Sequence, residues 1–374
     1  MKNKIIIFHP YPDLGGADRS VIRLINGLDN CDIHLCTLIK PEYKDYLNKK
    51  IKYKILKSKR TLFSIFELRK YVLEVTKSNN YCKYIFISNQ NFANIISIIS
   101  LAKYRKIKTI LIERNHIVEL SFYKNLLDKF KKYLIYLGIK YFYNKANGVV
   151  GISKVLSNDL SKLINKSVTT IYNPAADRDI FENKNYFNHK KYFKKLKKKK
   201  ILLNVGRLEN QKNQIFLLEA FKDCVKSNQQ LHLIIVGNGN QYQELKKFIK
   251  KNNLSKNVDI IKNISNLKIF YKKSDLFILT SIYEGFGNVL VEALKYKCPI
   301  ISSNCLSGPK EILNNGKFGD LYNPDNKKQL INLIKKHFIN EKKLKKKSIA
   351  GFKELSKYSL KENILNFKKL FNKL

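Results

Sequence analysis

Two carboxylates eight residues apart, Glu284 and Glu292 in the stretch "EGFGNVLVE", stand in a 374-residue chain whose formal net charge is +44. In open parallel sheets ligands bind beyond the carboxyl ends of the strands. The preceding "DLFILTSIY" reads as a strand ending near Thr280, with Glu284 in the following loop and Glu292 in the first turns of a helix that begins around Gly287 or Asn288. Were the whole segment helical, eight residues would part the acids by about 12 Å. Carboxyls that cleave one glycosidic bond flank it at about 5–5.5 Å or about 6.5–9.5 Å. Two acids on one loop-helix wall do not flank a bond. They suit two separate contacts along an extended ligand, each carboxylate accepting bonds from hydroxyls.

Cations stand nearby in the pattern. In "LLNVGRLENQKNQ", Arg207 follows Gly206 at a strand end and Lys212 lies at the start of the next helix, so both would point over one crevice. A planar guanidinium and a compact ammonium together make a clamp for a diphosphate; a surface Arg and Lys in a lysine-rich chain is the plainer alternative. After the first strand, "HPYPDLGGADRS" sets Gly15 and Gly16 before a helix. Such a pair lets amides approach a ligand at a helix N-terminus that favours anions, or is a tight turn only. "VGNGNQYQEL" lacks the third glycine of a dinucleotide fingerprint and reads instead as a loop near the nucleotide.

The elements that must position these groups follow a strand-helix alternation. "KIIIF", "IHLCTLI", "YIFIS", "KTILIE", "GVVGIS" and "VTTIY" read as strands in the first half; "KILLNVG", "LHLIIVG", "VDII", "DLFILT" and "PIISS" read as strands in the second. Alternation of this kind gives a parallel sheet with helices on both faces. The pattern pauses at the polar, lysine-rich stretch after "YNP", where Pro174 forces Asn173 toward an extended conformation. We therefore expect an α/β protein of two doubly wound domains meeting across a cleft. Residues 1–172 form the first domain, 173–199 a linker, 200–357 the second domain and 358–374 a terminal helix opened by a capping box, Ser359 to Glu362. A helix over 123–144 mixes a leucine and aromatic stripe with lysines, and either covers the sheet or rests a basic amphipathic face on lipid.

Composition narrows the partners. The positive charge is mostly lysine spread along the chain, with runs at 194–200 and 342–347, and reads as a solvated surface or as attraction to an anionic partner such as a membrane leaflet. Nucleic acid is disfavoured: arginine numbers only eight, and neither RNP-type aromatic motifs nor zinc-knuckle spacing occurs. Six cysteines without CxxC or a histidine at zinc-ligand spacing read as reduced thiols of a cytosolic protein. The N-terminal apolar run is too short for a signal peptide, and "FANIISIISLA" is too interrupted for a membrane span.

The acid pair with its glycines, "GRLENQK" upstream, "LGGAD" near the N-terminus and "IYNP" at the domain boundary resemble the retaining GT-B glycosyltransferases of the family 4 type over nearly the whole chain. That resemblance implies two Rossmann-like domains with the terminal helix packing back. It implies that Glu284 contacts hydroxyls of a donor sugar and Glu292 the ribose, while Arg207 and Lys212 hold the diphosphate. Gly15 and Gly16 would reach in from the first domain, and the amides of Phe286, Gly287, Asn288, Val289 and Leu290 would line the sugar and phosphate pocket. His116 in "ERNH" matches the histidine that such enzymes place near the reacting sugar. The reaction implied is transfer from a nucleotide-sugar donor to an acceptor hydroxyl with retained configuration and without a cofactor or metal, since no Asp-x-Asp clamp occurs in the site motifs. "SSNCLSGPKEIL" and "ERNH" are similar to bacterial N-acetylhexosamine transferases of lipid-linked glycan and surface polysaccharide pathways. The expected donor is thus a UDP-linked N-acetylhexosamine or hexose, the acceptor a lipid-linked or polysaccharide glycan, and the location cytoplasmic or peripheral on the inner face of the cell membrane. Two departures stand out: Lys297 and Asn263 occupy positions where the family usually has glycine. A nucleotide-sugar epimerase of the same architecture and a non-enzymatic basic anion-binding protein are the rival readings.

Overall fold

The computed structural model describes residues 2–12, 15–77, 81–177, 187–262, 264 and 266–374. Leu14 of "LGGAD", Asn263 and residues 178–186 of the expected linker lie outside the described residues. The chain divides into two compact units, Met1–Pro174 with Ser359–Leu374, and Ala175–Tyr358.

In the first unit, β1 (Asn3–Phe8), α1 (Gly16–Gly27), β2 (Cys31–Thr37), β3 (Lys52–Ile55), α2 (Ile65–Val75), β4 (Tyr84–Asn89), α3 (Asn91–Leu101), β5 (Ile107–Glu113), α4 (Leu126–Phe142), β6 (Gly148–Gly151), α5 (Lys154–Ile164) and β7 (Thr169–Thr170) follow in turn. All pairings are parallel, in the order β3-β2-β1-β4-β5-β6-β7. The central strands are apolar on both faces, as burial under two helical layers requires; Ile5, Ile7, Ile85 and Ile87 are completely enclosed. The register Ile5↔Ile33 and Ile5↔Ile85 sets these side chains in rows across the sheet.

The second unit runs α6 (His189–Lys195), β8 (Lys200–Val205), α7 (Gln214–Ser227), β9 (Leu231–Val236), α8 (Tyr242–Lys251), β10 (Val258–Ile261), α9 (Lys268–Lys273), β11 (Leu276–Leu279), α10 (Asn288–Lys295), β12 (Ile300–Ser303), α11 (Pro309–Ile312), β13 (Asp320–Tyr322), α12 (Lys327–Ile339) and α13 (Glu341–Lys353). Its parallel sheet has the order β10-β9-β8-β11-β12-β13. A core of Leu202, Leu217, Phe221, Leu233, Ile235 and Ile278 fills the space between sheet and helices.

Both sheets reverse their winding direction at the centre, between β1 and β4 in the first and between β8 and β11 in the second. At such a switch point the loops leaving the two strands part in opposite directions and open a crevice beyond the carboxyl ends. The doubly wound class expected from the sequence is what the structure shows. Two strands had no sequence counterpart, β3 and β13, and both are edge strands.

The terminal helix, α14 (Leu360–Lys373), belongs to the first unit and packs on α1. Ser359 caps it, its hydroxyl accepting from the Glu362 amide at 3.2 Å. Gly27 of α1 lets the two helices close: a Cβ there would stand 3.0 Å from Ile364 Cδ1.

Candidate active site

The loops leaving β8 and β11 carry the residues that the sequence singles out, and they are knitted together. The Ile282 amide donates to the Gln211 carbonyl at 2.9 Å, and the Gln211 side-chain amide returns a bond to the Tyr283 carbonyl at 2.9 Å. Thr280 Oγ1 donates to the Lys212 carbonyl at 2.8 Å. The fourth tie is ionic: Lys212 Nζ meets Glu284 Oε1 at 2.6 Å, with both side chains largely enclosed. Ser281 Oγ donates to the same oxygen at 2.6 Å. Glu284 Oε1 thus takes both bonds, and Oε2 takes none among the described residues. Of the three protons on the ammonium, one faces Glu284, and the other two meet no acceptor among the described residues.

Local sequence explains this placement. Gly206 follows β8 without a side chain, and the Lys212 stem runs past it with Cγ and Cδ where a Cβ would be in contact, at 3.4 Å. Lys212 closes a 3-10 turn, Asn210–Lys212, and Asn213 then takes φ 51°, which asparagine tolerates, before α7 starts. Gly237 after β9 supports the β8 loop from behind; a Cβ there would stand 1.8 Å from the Gly206 carbonyl oxygen.

Arg207 behaves differently from Lys212. Its guanidinium is mostly exposed and among the described residues has only long contacts, 3.5 Å to Glu209 Oε1 and 3.4 Å to Gln211 Oε1. Its backbone is fixed by Gln214, whose side-chain amide donates to the Arg207 carbonyl at 2.9 Å.

The glycine-rich turn sits on a loop whose role the sequence alone did not reveal. Gly287, at φ 94°, is the N-cap of α10 and offers no side-chain cap. Within the first turn the Leu290 amide bonds the Gly287 carbonyl at 2.9 Å. Behind it, the Glu284 amide donates to the Leu306 carbonyl at 3.3 Å and Ser307 Oγ to the Gly285 carbonyl at 2.9 Å. Gly308, at φ 86°, passes so close that a Cβ would lie 1.7 Å from the Phe286 carbonyl oxygen. The "SGP" triplet at 307–309 was the available signal for this support. Phe286 is buried, its ring edge-on to Tyr358 at 5.3 Å. Glu292, half-buried one turn into α10, accepts from the Tyr271 hydroxyl at 2.9 Å. Burial, reinforced by the Glu284 carboxylate, pushes the Cys305 thiol up to about 12, so it is not a nucleophile at neutral pH.

The remaining candidates belong to the first unit. The Gly15 amide donates to Asp18 Oδ2 at 3.2 Å, and Asp18 Oδ1 in turn meets His9 Nε2 at 2.6 Å. Neither Gly15 nor Gly16 has positive φ. What Gly15 supplies is space, since a Cβ would press on Asp18 Oδ2 at 3.1 Å. His116 has both ring nitrogens engaged: Nδ1 accepts from the Val118 amide at 3.2 Å and Nε2 faces Asp159 Oδ2 at 3.0 Å. A proton on Nε2 satisfies both contacts. Beside it lies a buried polar group that escaped sequence reading. Arg114 reaches Asn89 Oδ1 at 2.8 Å and Asn173 Oδ1 at 3.0 Å, and Tyr143 donates to Glu113 Oε2 at 2.8 Å.

Residues 186–354 match the family model "Glycosyl transferases group 1". An uncharacterized glycosyltransferase of Methanocaldococcus jannaschii is 33% identical over 270 residues, which covers 69% of this chain and 64% of that protein. A Campylobacter jejuni protein named GalNAc-α-(1→4)-GalNAc-α-(1→3)-diNAcBac-PP-undecaprenol α-1,4-N-acetyl-D-galactosaminyltransferase is 27% identical over 359 residues, 92% of this chain and 90% of its own. Among solved structures, Anabaena HepE in complex with UDP-glucose superposes with a TM-score of 0.81 at 17% identity, over 99% of this chain and all of that one.

Proposed function

The chain carries a glycosyl transferases group 1 domain in a fold of the GT-B class, and on that premise we propose that it is a retaining glycosyltransferase of the family 4 type. The donor is a nucleotide diphosphate sugar, with UDP as the nucleotide and an N-acetylhexosamine or hexose as the sugar. The acceptor is a lipid-linked or polysaccharide glycan at an anionic membrane surface, which would put the protein at the inner face of the cell membrane. The Campylobacter relative, whose printed name is that of an N-acetylgalactosaminyltransferase, and the UDP-glucose complex of the Anabaena neighbour support this choice.

The observation that carries the reading is the divided carboxylate of Glu284. One oxygen is committed to Lys212 and Ser281, which locks the side chain; the other is left for sugar hydroxyls. Arg207, Lys212 and the positive end of the α10 dipole serve a departing diphosphate. They stabilise the charge it gains more than they stabilise the bound ground state. Glu292, one turn along, takes the ribose hydroxyls. In this reading the first unit serves the acceptor, His116 is assigned to the reacting sugar, and Gly15 and Gly16 are assigned to donor binding.

A thermal-shift screen across UDP-, GDP- and ADP-sugars tests the donor, followed by a free-UDP assay with and without acceptor glycan. A raised melting temperature with UDP-sugars and acceptor-dependent UDP release are expected. No shift with any nucleotide sugar would sink the proposal. Because protein cations supply the charge that a metal would otherwise bring, transfer should persist in excess EDTA; abolition by the chelator would count against the site as assigned.

A further inference from the structure

The helix α4 of the first unit has one apolar face more than its packing uses. Only Gly138 and Ile139 of its residues are buried, with Ile135 and Phe142 partly so against Leu111, Tyr143 and Val149. Gly138 is where α4 meets α3, since a Cβ there would fall 2.6 Å from Ile95 Cδ1. At about 100° per residue these core-facing positions occupy one side of the helix.

The other side should be polar, and it is not. Leu126, Leu127, Phe130, Tyr133, Leu134 and Tyr141 fall within a stripe about 120° wide on the same projection. Every one is at least half exposed, Leu126 at 80% and Leu127 at 72%. Lys129 and Lys140 border the stripe on one side and Lys131 on the other, each within about 40° of its edge. Lys132, further round, is turned inward to the Phe122 and Glu119 carbonyls. A second apolar outcrop lies on the same side of the sheet, because α3 touches both α2 and α4. There Phe63 and Phe66 are 67% and 76% exposed, and Arg69 lies over the Phe66 ring while donating to the Ser100 carbonyl.

We propose that the outer stripe of α4, from Leu126 to Tyr141 with its lysine borders, is a docking surface for an anionic lipid bilayer. The apolar side chains enter the headgroup and acyl boundary while the lysines meet lipid phosphates. No helix among the described residues is long and apolar enough to cross a membrane, so α4 lies on the bilayer and does not span it. This deepens the membrane partner proposed above and rests on that part of the reading. Its test involves no catalysis, so the two fail separately.

The chain contains no tryptophan, so Phe130→Trp in the full-length protein introduces a single indole on the stripe. Vesicles of phosphatidylcholine alone, and of phosphatidylcholine mixed with phosphatidylglycerol, serve as probes. With the mixed vesicles the indole emission should shift to the blue and be quenched by brominated acyl chains. The shift should survive about 0.5 M salt, which screens charge attraction. Adding Leu126→Ser, Leu127→Ser and Leu134→Ser should weaken vesicle partition at that salt by at least about tenfold, with circular dichroism unchanged. Should that variant fail to fold, quenching of the Phe130→Trp protein by brominated lipid decides alone. An unshifted indole overturns the proposal. So does a serine variant that binds like its parent, because a chain of net charge +44 can adhere through diffuse charge. A stripe whose loss abolishes self-association, with no lipid effect, overturns it in favour of an interface between copies of this chain.

Discussion

The Lys212 ammonium and the Glu284 carboxylate meet at 2.6 Å, from the two loops that flank the switch point of the second sheet. The acid and the cation assigned by sequence to different parts of a ligand are thus one unit. Each orients the other, and together they staple the loops after β8 and β11.

That pairing has a stability signature. Lys212→Met leaves a largely buried carboxylate with only Ser281, and Glu284→Gln leaves an ammonium facing an amide. Each single change should destabilise the second unit by about 3 kcal/mol, as loss of one partner from a buried pair does. The double variant should lose clearly less than the sum, and urea unfolding of all four proteins measures the coupling. Strict additivity would mean that the pair contributes no mutual stabilisation.

Arg207 should separate activity from stability. Its guanidinium is exposed and holds only long contacts among the described residues, so Arg207→Ala should change unfolding free energy by less than about 0.5 kcal/mol. Turnover should nonetheless fall about a hundredfold or more, the usual cost of losing one donor to transition-state charge. Near-normal turnover in a correctly folded Arg207→Ala protein would remove it from the site.

Lys297 stands in the turn after α10 with φ 55°, a conformation costing a side-chain-bearing residue roughly 1–2 kcal/mol. Its ammonium lies 4.6 Å from the centre of the Phe352 ring, which offsets part of that cost. Lys297→Gly is expected to be neutral or stabilising by up to about 1 kcal/mol, whereas Lys297→Val should destabilise, because a β-branched residue fits this region worst. Thermal melts of the two variants should therefore fall on opposite sides of, or at, the parent value; equal melts for glycine and valine would show that the turn does not constrain the residue.

The sequence legibility of these features follows physical lines. Buried parallel strands such as β4 and β9 announce themselves as apolar runs, and Gly206, Arg207 and Glu284 lie where such runs end, so the positions of these second-unit candidates at strand ends were legible. The strand β3, Lys-Tyr-Lys-Ile with all four residues exposed, carries no apolar signal because it is an edge held by backbone bonds to β2. The three-residue β13 is too short to show a period. Side-chain partnerships were the least legible. Asp18 and His9 are nine residues apart, and Arg114 and Asn173 are 59 apart; only the fold brings each pair within bonding distance. In "ERNH" the histidine carries the motif resemblance, whereas Glu113 and Arg114 carry the buried network that only the fold assembles.

Glu113 gives the first unit a pH dependence of definite sign. Burial pushes its carboxyl up to about 7, helped by Glu119, while the Tyr143 hydroxyl and the Asn115 and Arg114 amides pull the other way. The ordinary value in an unfolded chain is 4.5. Between those values the unfolded chain has released the proton and the folded one retains it, so stability from this group is full below about pH 4.5 and is lost as pH rises toward 7. The loss amounts to about 3 kcal/mol as an order of magnitude. Glu113→Gln keeps an acceptor for Tyr143 and cannot ionise. Subtracting its stability profile from that of the parent cancels the other titrating groups, His34 among them, and should leave a curve falling across that interval. A flat difference would show that Glu113 ionises in the folded protein as readily as in the unfolded one, and that the Tyr143 hydroxyl and backbone amides fully offset its burial.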